Sequence, residues 1–111
     1  MYLTGAAGAL ISRPRPVSAP PGQFAQFSCS TSGKDPVNWE FRAKEAQNFE
    51  RIFYGGILNY AYLGRFNVSR ETVFTLTVVN VSPSDEGSFR CVDNGGQGPD
   101  KGQADLDLNG K

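Results

Sequence analysis

The strongest constraint on this chain is its cysteine content, because it has only two, Cys29 and Cys91, set 62 residues apart. Two thiols are too few for a thiolate metal site, and the chain has no histidine, the commonest metal ligand and general base. The cysteines can form one disulfide or stay free, and an even number at wide spacing fits an oxidised, extracellular domain. We therefore expect no metal, no cofactor and no enzymatic activity.

The length and charge of the chain narrow the class of protein further. Its 111 residues suffice for one domain with a single core. The 11 basic and 11 acidic residues cancel without forming a basic block, which disfavours nucleic-acid binding. The longest apolar run is too short and too polar to insert into a membrane. We expect residues 1–10 to be an N-terminal extension and residues 11–109 to form the domain.

Strand signals recur about every eight to twelve residues between clusters of glycine, proline, asparagine and aspartate, whereas helix signals are scarce. Alternation is clear at Ala25, Phe27 and Cys29, which fall on one face of a strand. Four prolines in residues 12–22 restrict that segment to a kinked edge strand. About nine strands are predicted, at residues 12–22, 23–30, 37–41, 48–54, 57–63, 66–70, 73–79, 88–93 and 104–108. This spacing is typical of a β-sandwich or barrel.

Four stretches of the sequence together resemble an immunoglobulin V-set domain: GQFAQFSC (22–29), VNWEF (37–41), GRFNVSR (64–70) and FTLTVVNVSPSDEGSFRC (74–91). The resemblance implies an all-β, two-sheet antiparallel Greek-key sandwich. It also implies a disulfide between Cys29 and Cys91, with Trp39 packed against it. The 24 residues between Trp39 and Gly64 leave room for the C′ and C″ strands of a V-set domain.

The resemblance also assigns roles at the base of the sandwich. The resemblance identifies residues 64–70 with strand D and residues 74–91 with strand E, the E–F turn and strand F. It implies a bidentate ion pair between Arg65 and Asp85 that ties this turn to strand D. It places Phe89 in the core, where the family has a tyrosine whose hydroxyl bonds to upstream backbone. Phe89 keeps the core role but loses that hydrogen bond, typically worth about 1 kcal/mol. The family's joining-segment pattern is also missing, which indicates a non-rearranging surface or secreted receptor.

The front sheet of such a domain is expected to be charged. If Trp39 and Cys91 point inward, alternation places the following side chains outward: Asn38, Glu40, Arg42, Arg90 and Val92. Glu40 and Arg90 are placed to pair across neighbouring strands. Antibody-like pairing needs an apolar face, so it is disfavoured, although a homodimer by another route stays open. The alternative interpretation is a merely solvated sheet face.

Aromatic and aliphatic residues crowd the predicted C′–C″ ribbon, residues 48–54 and 57–63, and a strand pair can bury only alternate side chains. Exposed aromatic clusters mark interaction sites. We predict that a protein partner binds Arg51, Phe53, Tyr54 and Tyr60, with Arg90 at the sheet centre. The alternative is that the ribbon packs its aromatics onto the core. A second possible function is a lectin-like domain that stacks sugars on its tyrosines.

Two glycosylation sequons are present, at Asn67-Val68-Ser69 and Asn80-Val81-Ser82. Pro83 directly follows the second and disfavours its use, so Asn67 is the expected glycosylation site. Together these features predict an extracellular receptor domain, either secreted or part of a cell-surface ectodomain.

Overall fold

The computed structural model describes residues 10–32, 35–70, 73–93 and 100–109. The expected extension, apart from Leu10, lies outside these residues. Ten strands are described: β1 Leu10–Ser12, β2 Val17–Ala19, β3 Ala25–Thr31, β4 Asn38–Ala43, β5 Glu50–Tyr54, β6 Ile57–Leu58, β7 Phe66–Arg70, β8 Val73–Val78, β9 Gly87–Asp93 and β10 Asp100–Leu108. Single 3-10 turns lie at Tyr60–Tyr62 and Pro83–Asp85.

The strands form two sheets. The back sheet has the order β1-β3-β8-β7, and the front sheet has the order β2-β10-β9-β4-β5-β6. Neighbouring strands are antiparallel except β2 and β10, which run parallel. The predicted all-β, two-sheet sandwich is therefore confirmed.

The proline-rich N-terminal segment divides between the two sheets. Its first part, β1, pairs with β3 of the back sheet, and its second part, β2, pairs with β10 of the front sheet. Pro14 and Pro16 lie in the crossing segment, where their missing N–H groups break no ladder. This division gives ten strands where nine were predicted.

The predicted strand at residues 57–63 is wrong beyond Leu58. The Asn59 side chain accepts a hydrogen bond from the Ala61 N–H at 3.0 Å, which begins the 3-10 turn. The Asn59 N–H donates to the Ile52 carbonyl at 2.6 Å and so fixes the turn against β5. Asparagine side chains favour such local backbone bonds over a continued strand. The turn carries Tyr62 inward, where only 7% of it is exposed.

The core lies between the sheets and contains the disulfide. Cys29 of β3 and Cys91 of β9 are bonded, with Cα atoms 6.5 Å apart, as the resemblance implied. Trp39 is fully buried beside them in the same core cluster. Phe89 is also fully buried, with its ring centroid 4.8 Å from that of Phe27 and 4.7 Å from that of Phe41. An aromatic cluster thus fills the position of the family's tyrosine.

At the base of the sandwich, Arg65 contacts Asp85 just before β7 begins. Arg65 Nε donates to Asp85 Oδ1 at 2.7 Å, and Nη2 donates to the Ser84 carbonyl at 2.9 Å. The second carboxylate oxygen accepts the Ser82 N–H at 3.0 Å. The expected bidentate geometry is therefore wrong, because Arg65 Nη2 donates to the Ser84 carbonyl and not to the second oxygen of Asp85.

Candidate functional site

A row of polar side chains crosses the middle of the front sheet. The strand register places Glu40 of β4 opposite Arg90 of β9 on one side and Arg51 of β5 on the other. Gln103 of β10 lies opposite Arg90 and completes the row. Arg90 Nη2 lies 2.6 Å from Glu40 Oε1, and the two side chains are 24% and 19% exposed. An ion pair thus occupies the centre of the front face.

The ring of Phe49, which precedes β5, contacts two arginines of this face. The Arg90 guanidinium lies 3.8 Å from the Phe49 ring centroid, and that of Arg42 lies 5.0 Å from it. Both distances are within the range of cation–π attraction. Among the described residues, no carboxylate lies within ion-pair distance of Arg42 or Arg51. The face therefore carries more positive than negative charge near its centre.

The end of the front face beside the β5–β6 turn is less exposed to solvent than strict strand alternation predicts. Asn38 and Val92 lie opposite each other and are only 8% and 6% exposed. The Asn38 side-chain oxygen accepts the Gly55 N–H at 3.0 Å, so the β5–β6 turn lies against this end of the sheet. Neither side chain offers a surface to a partner.

The edge of the front sheet and the 3-10 turn after it present exposed side chains, which we call the ribbon surface: Arg51, Tyr54 and Ile57 on β5 and β6, with Tyr60 and Leu63 in and after the turn. The Arg51 guanidinium lies 3.8 Å from the Tyr54 ring centroid. Ile57 is 72% exposed, Tyr60 86% and Leu63 66%. A groove of about 270 Å³ runs along Arg51, Tyr54, Ile57, Leu58 and Asn59 over Ile52. The prediction from sequence omits Ile57 and Leu63, although the Gly55-Gly56 turn signals an exposed position at Ile57.

Phe53 does not belong to this surface, contrary to the prediction. It is 2% exposed and lies in the core cluster. The β4–β5 register explains its position: Trp39 faces Phe53 while Glu40 faces Arg51, so Ile52 is an extra residue in β5. Such a bulge interrupts strict alternation and allows Ile52 and Phe53 to be buried together.

Tyr62 is likewise unsuited to sugar stacking. Its hydroxyl donates to Glu50 Oε1 at 2.5 Å, and its ring centroid lies 5.1 Å from that of Phe66. Burial, together with the hydrogen bond to the Glu50 carboxylate, raises the pKa of Tyr62 to about 12. Tyr62 therefore packs on the core side of the 3-10 turn.

The described residues contain no cluster of three or more acidic, cysteine or histidine side chains that could hold a metal ion. In the same part of the chain, no helix has the length and apolarity needed to cross a membrane. Asn67 is exposed on β7, at the edge of the back sheet.

Comparison with protein families agrees with this architecture. The family model described as immunoglobulin V-set domain matches residues 12–109, which is most of the chain. No curated protein matches the sequence. With its two sheets, with β5 and β6 as the C′ and C″ strands, and with its buried disulfide beside Trp39, this chain belongs to the immunoglobulin V-set family.

Proposed function

We propose that this domain is the recognition module of an immune-type or adhesion receptor, either secreted or at the cell surface. It binds a protein partner through the ribbon surface, with the adjoining charged centre of the front sheet, including Arg90, at the rim of the interface. V-set domains are typically extracellular recognition modules. The Cys29–Cys91 disulfide fits an oxidising compartment.

The observation that carries the proposal is the stack of Arg51 on Tyr54 beside the apolar groove. Arginine and tyrosine are enriched among the residues that dominate binding energy. A guanidinium already held on a ring loses less side-chain entropy when it binds, and its N–H edge stays available to a carboxylate or carbonyl. Burying exposed Ile57 would add about 1–2 kcal/mol of hydrophobic free energy.

The charged centre of the front sheet disfavours face-to-face pairing with a second copy of the domain, as in antibodies. Face-to-face pairing of two copies would take the Arg90–Glu40 ion pair out of water. The desolvation of such a pair often exceeds its Coulomb attraction. A partner that approaches from the β5–β6 edge leaves the pair at the rim, where solvent still reaches it.

The proposal can be tested by screening a tetramer of the domain against a panel of extracellular domains. We expect Tyr54→Ala and Ile57→Ala to weaken the captured interaction at least tenfold without loss of fold. Phe24→Ala is a matched control, because Phe24 is 61% exposed and precedes β3 of the back sheet. Equal losses from Phe24→Ala and Ile57→Ala, or no capture across the panel, would count against the proposal.

Carbohydrate binding is the second candidate function. Tyr60 favours it, because its ring is 86% exposed and sugars stack on open aromatic faces. A glycan array of the wild type and Tyr60→Ala distinguishes the two functions. A signal that Tyr60→Ala abolishes supports sugar binding, whereas a blank array for the wild type removes it.

A further inference from the structure

The sequon at Asn67 lies on an edge strand and faces solvent. On β7, Phe66 is 1% exposed and Val68 packs against the core, whereas Asn67 and Ser69 are exposed. Alternation along the strand therefore puts the acceptor amide and the sequon hydroxyl on the same outer face. A sugar attached to the Asn67 side chain would displace no core residue.

The two rows of outward side chains that contain Asn67 and Ser69 are polar and uncharged. Asn67 lies opposite Thr77 of β8, which lies opposite Gln26 of β3, and Gln26 Nε2 donates to Thr77 Oγ1 at 3.2 Å. The next row repeats the pattern, since Ser69 lies opposite Thr75, whose hydroxyl is 3.4 Å from that of Ser28. Hydroxyl and amide groups can exchange hydrogen bonds with a sugar, and these two rows contain no ion pair that it would have to desolvate.

The second sequon differs in its surroundings. Val81 is 1% exposed, and its backbone bonds to Gln23 and Gly22 fix the link between β8 and the next turn. Ser82 is half-buried, and its hydroxyl lies 3.3 Å from Asp85 Oδ2. Pro83 restricts the backbone of Ser82 to extended conformations, and this restriction acts in the unfolded chain as well.

We propose that Asn67 carries an N-linked glycan and that Asn80 does not, because Pro83 blocks the second sequon. The glycan covers the outer edge of β7 and the adjacent rows of the back sheet. Edge strands present unpaired backbone groups that invite aggregation, so a glycan at this position also protects the fold. The inference concerns the back sheet and stands whether or not the front sheet binds a protein.

The test is secretion of the full chain from a eukaryotic host behind a heterologous leader. Its intact mass is measured before and after treatment with peptide-N-glycosidase. We expect one occupied site, lost in Asn67→Gln and in Ser69→Ala and kept in Asn80→Gln. An unmodified wild type, or a glycan that disappears in Asn80→Gln, would overturn the proposal.

Two further variants test whether the sequon itself directs glycosylation of Asn67 and whether Pro83 prevents glycosylation of Asn80. Ser69→Thr preserves the sequon at the same exposed position, so it should keep the glycan that Ser69→Ala loses. Pro83→Ala should add a second glycan, at Asn80. If Pro83→Ala gains no sugar, the assignment of Pro83 as the block is wrong. Loss of the glycan in Ser69→Thr, which keeps the sequon, would contradict the assignment of Asn67.

Discussion

Arg65 is the cation that compensates the buried carboxylate of Asp85, with Nε 2.7 Å from Oδ1 and Asp85 only 1% exposed. The same guanidinium lies 4.9 Å from the ring centroid of Phe66 and 5.4 Å from that of Tyr62. Arg65 therefore links a buried anion, the Ser84 carbonyl and the aromatic cluster below the core. One side chain thereby connects the start of β7 with the turn before β9.

Removing this cation should destabilise the fold strongly. We expect Arg65→Met to lower the free energy of unfolding by on the order of 3 kcal/mol, because it leaves a buried charge unpaired. The value is at the low end for a buried pair, because the Arg65 side chain is 36% exposed. Arg65→Lys keeps the charge but loses the planar contacts, so it should cost less. Urea unfolding measures both, and equal stability of Arg65→Met and wild type would contradict the expectation.

Gly87 is required because the backbone of β4 approaches it closely. A Cβ atom at this position would lie 2.2 Å from the Arg42 carbonyl oxygen, and φ is +154°. We expect Gly87→Ala to cost about 3 kcal/mol or more, or to prevent folding. Gly55→Ala is the matched control, because φ there is +60° with no atom within 4 Å of the added Cβ. That control should cost only about 1–2 kcal/mol, and thermal unfolding of both variants tests the difference.

Asp100 should make the domain sensitive to acid. Arg13 Nη2 donates to Asp100 Oδ1 at 2.8 Å and to Oδ2 at 2.9 Å. These hydrogen bonds hold the pKa of Asp100 below its usual value. Because the pKa is lower in the folded state, the stabilisation is present above about pH 4 and is lost as pH falls through the folded pKa. We expect Asp100→Asn to be less stable than wild type at neutral pH, and the gap to narrow as the pH falls below the usual aspartate pKa and through the folded-state pKa. Urea midpoints against pH test this, and a gap that widens in acid would refute it.

Tyr62 should titrate late in alkaline solution. Its pKa is raised to about 12, so the unfolded chain releases this proton first as pH rises. Its contribution to stability is therefore complete below about pH 10 and is lost between about pH 10 and pH 12. Ultraviolet absorbance of tyrosinate should show a late component that Tyr62→Phe lacks. Superimposable curves for the two proteins, with circular dichroism confirming that both are folded, would be the contrary result.

The two-sheet core was predictable because it rests on alternation along continuous strands. Ala25, Phe27 and Cys29 alternate in β3, and each faces a buried residue of β8 in the register Ala25 to Val78, Phe27 to Leu76 and Cys29 to Phe74. The period of two is encoded locally in both segments, so the sequence specifies which face is buried.

The candidate site was predicted less well, because its geometry depends on interruptions of that period. The extra residue Ile52 shifts Phe53 into the core, and this shift is defined only by pairing with β4. The Asn59 cap ends β6 and turns Tyr62 inward, while Tyr60 stays outside. Composition indicated that aromatic residues would be exposed here, whereas the identity of the exposed residues follows from tertiary contacts.

The parallel pairing of β2 with β10 has a mechanical consequence. Val17, Ser18 and Ala19 lie beside Leu106, Asp107 and Leu108, and the Asn109 N–H donates to the Ala19 carbonyl at 3.1 Å. In a parallel pair, the start of one strand and the end of the other lie at opposite ends of the ladder. Tension between the start of β2 and the end of β10 would therefore shear these hydrogen bonds together instead of opening them one by one. A domain pulled through these two strands would resist the force until the whole ladder failed at once. Val17→Pro, at one end of the ladder, should lower the rupture force in single-molecule stretching.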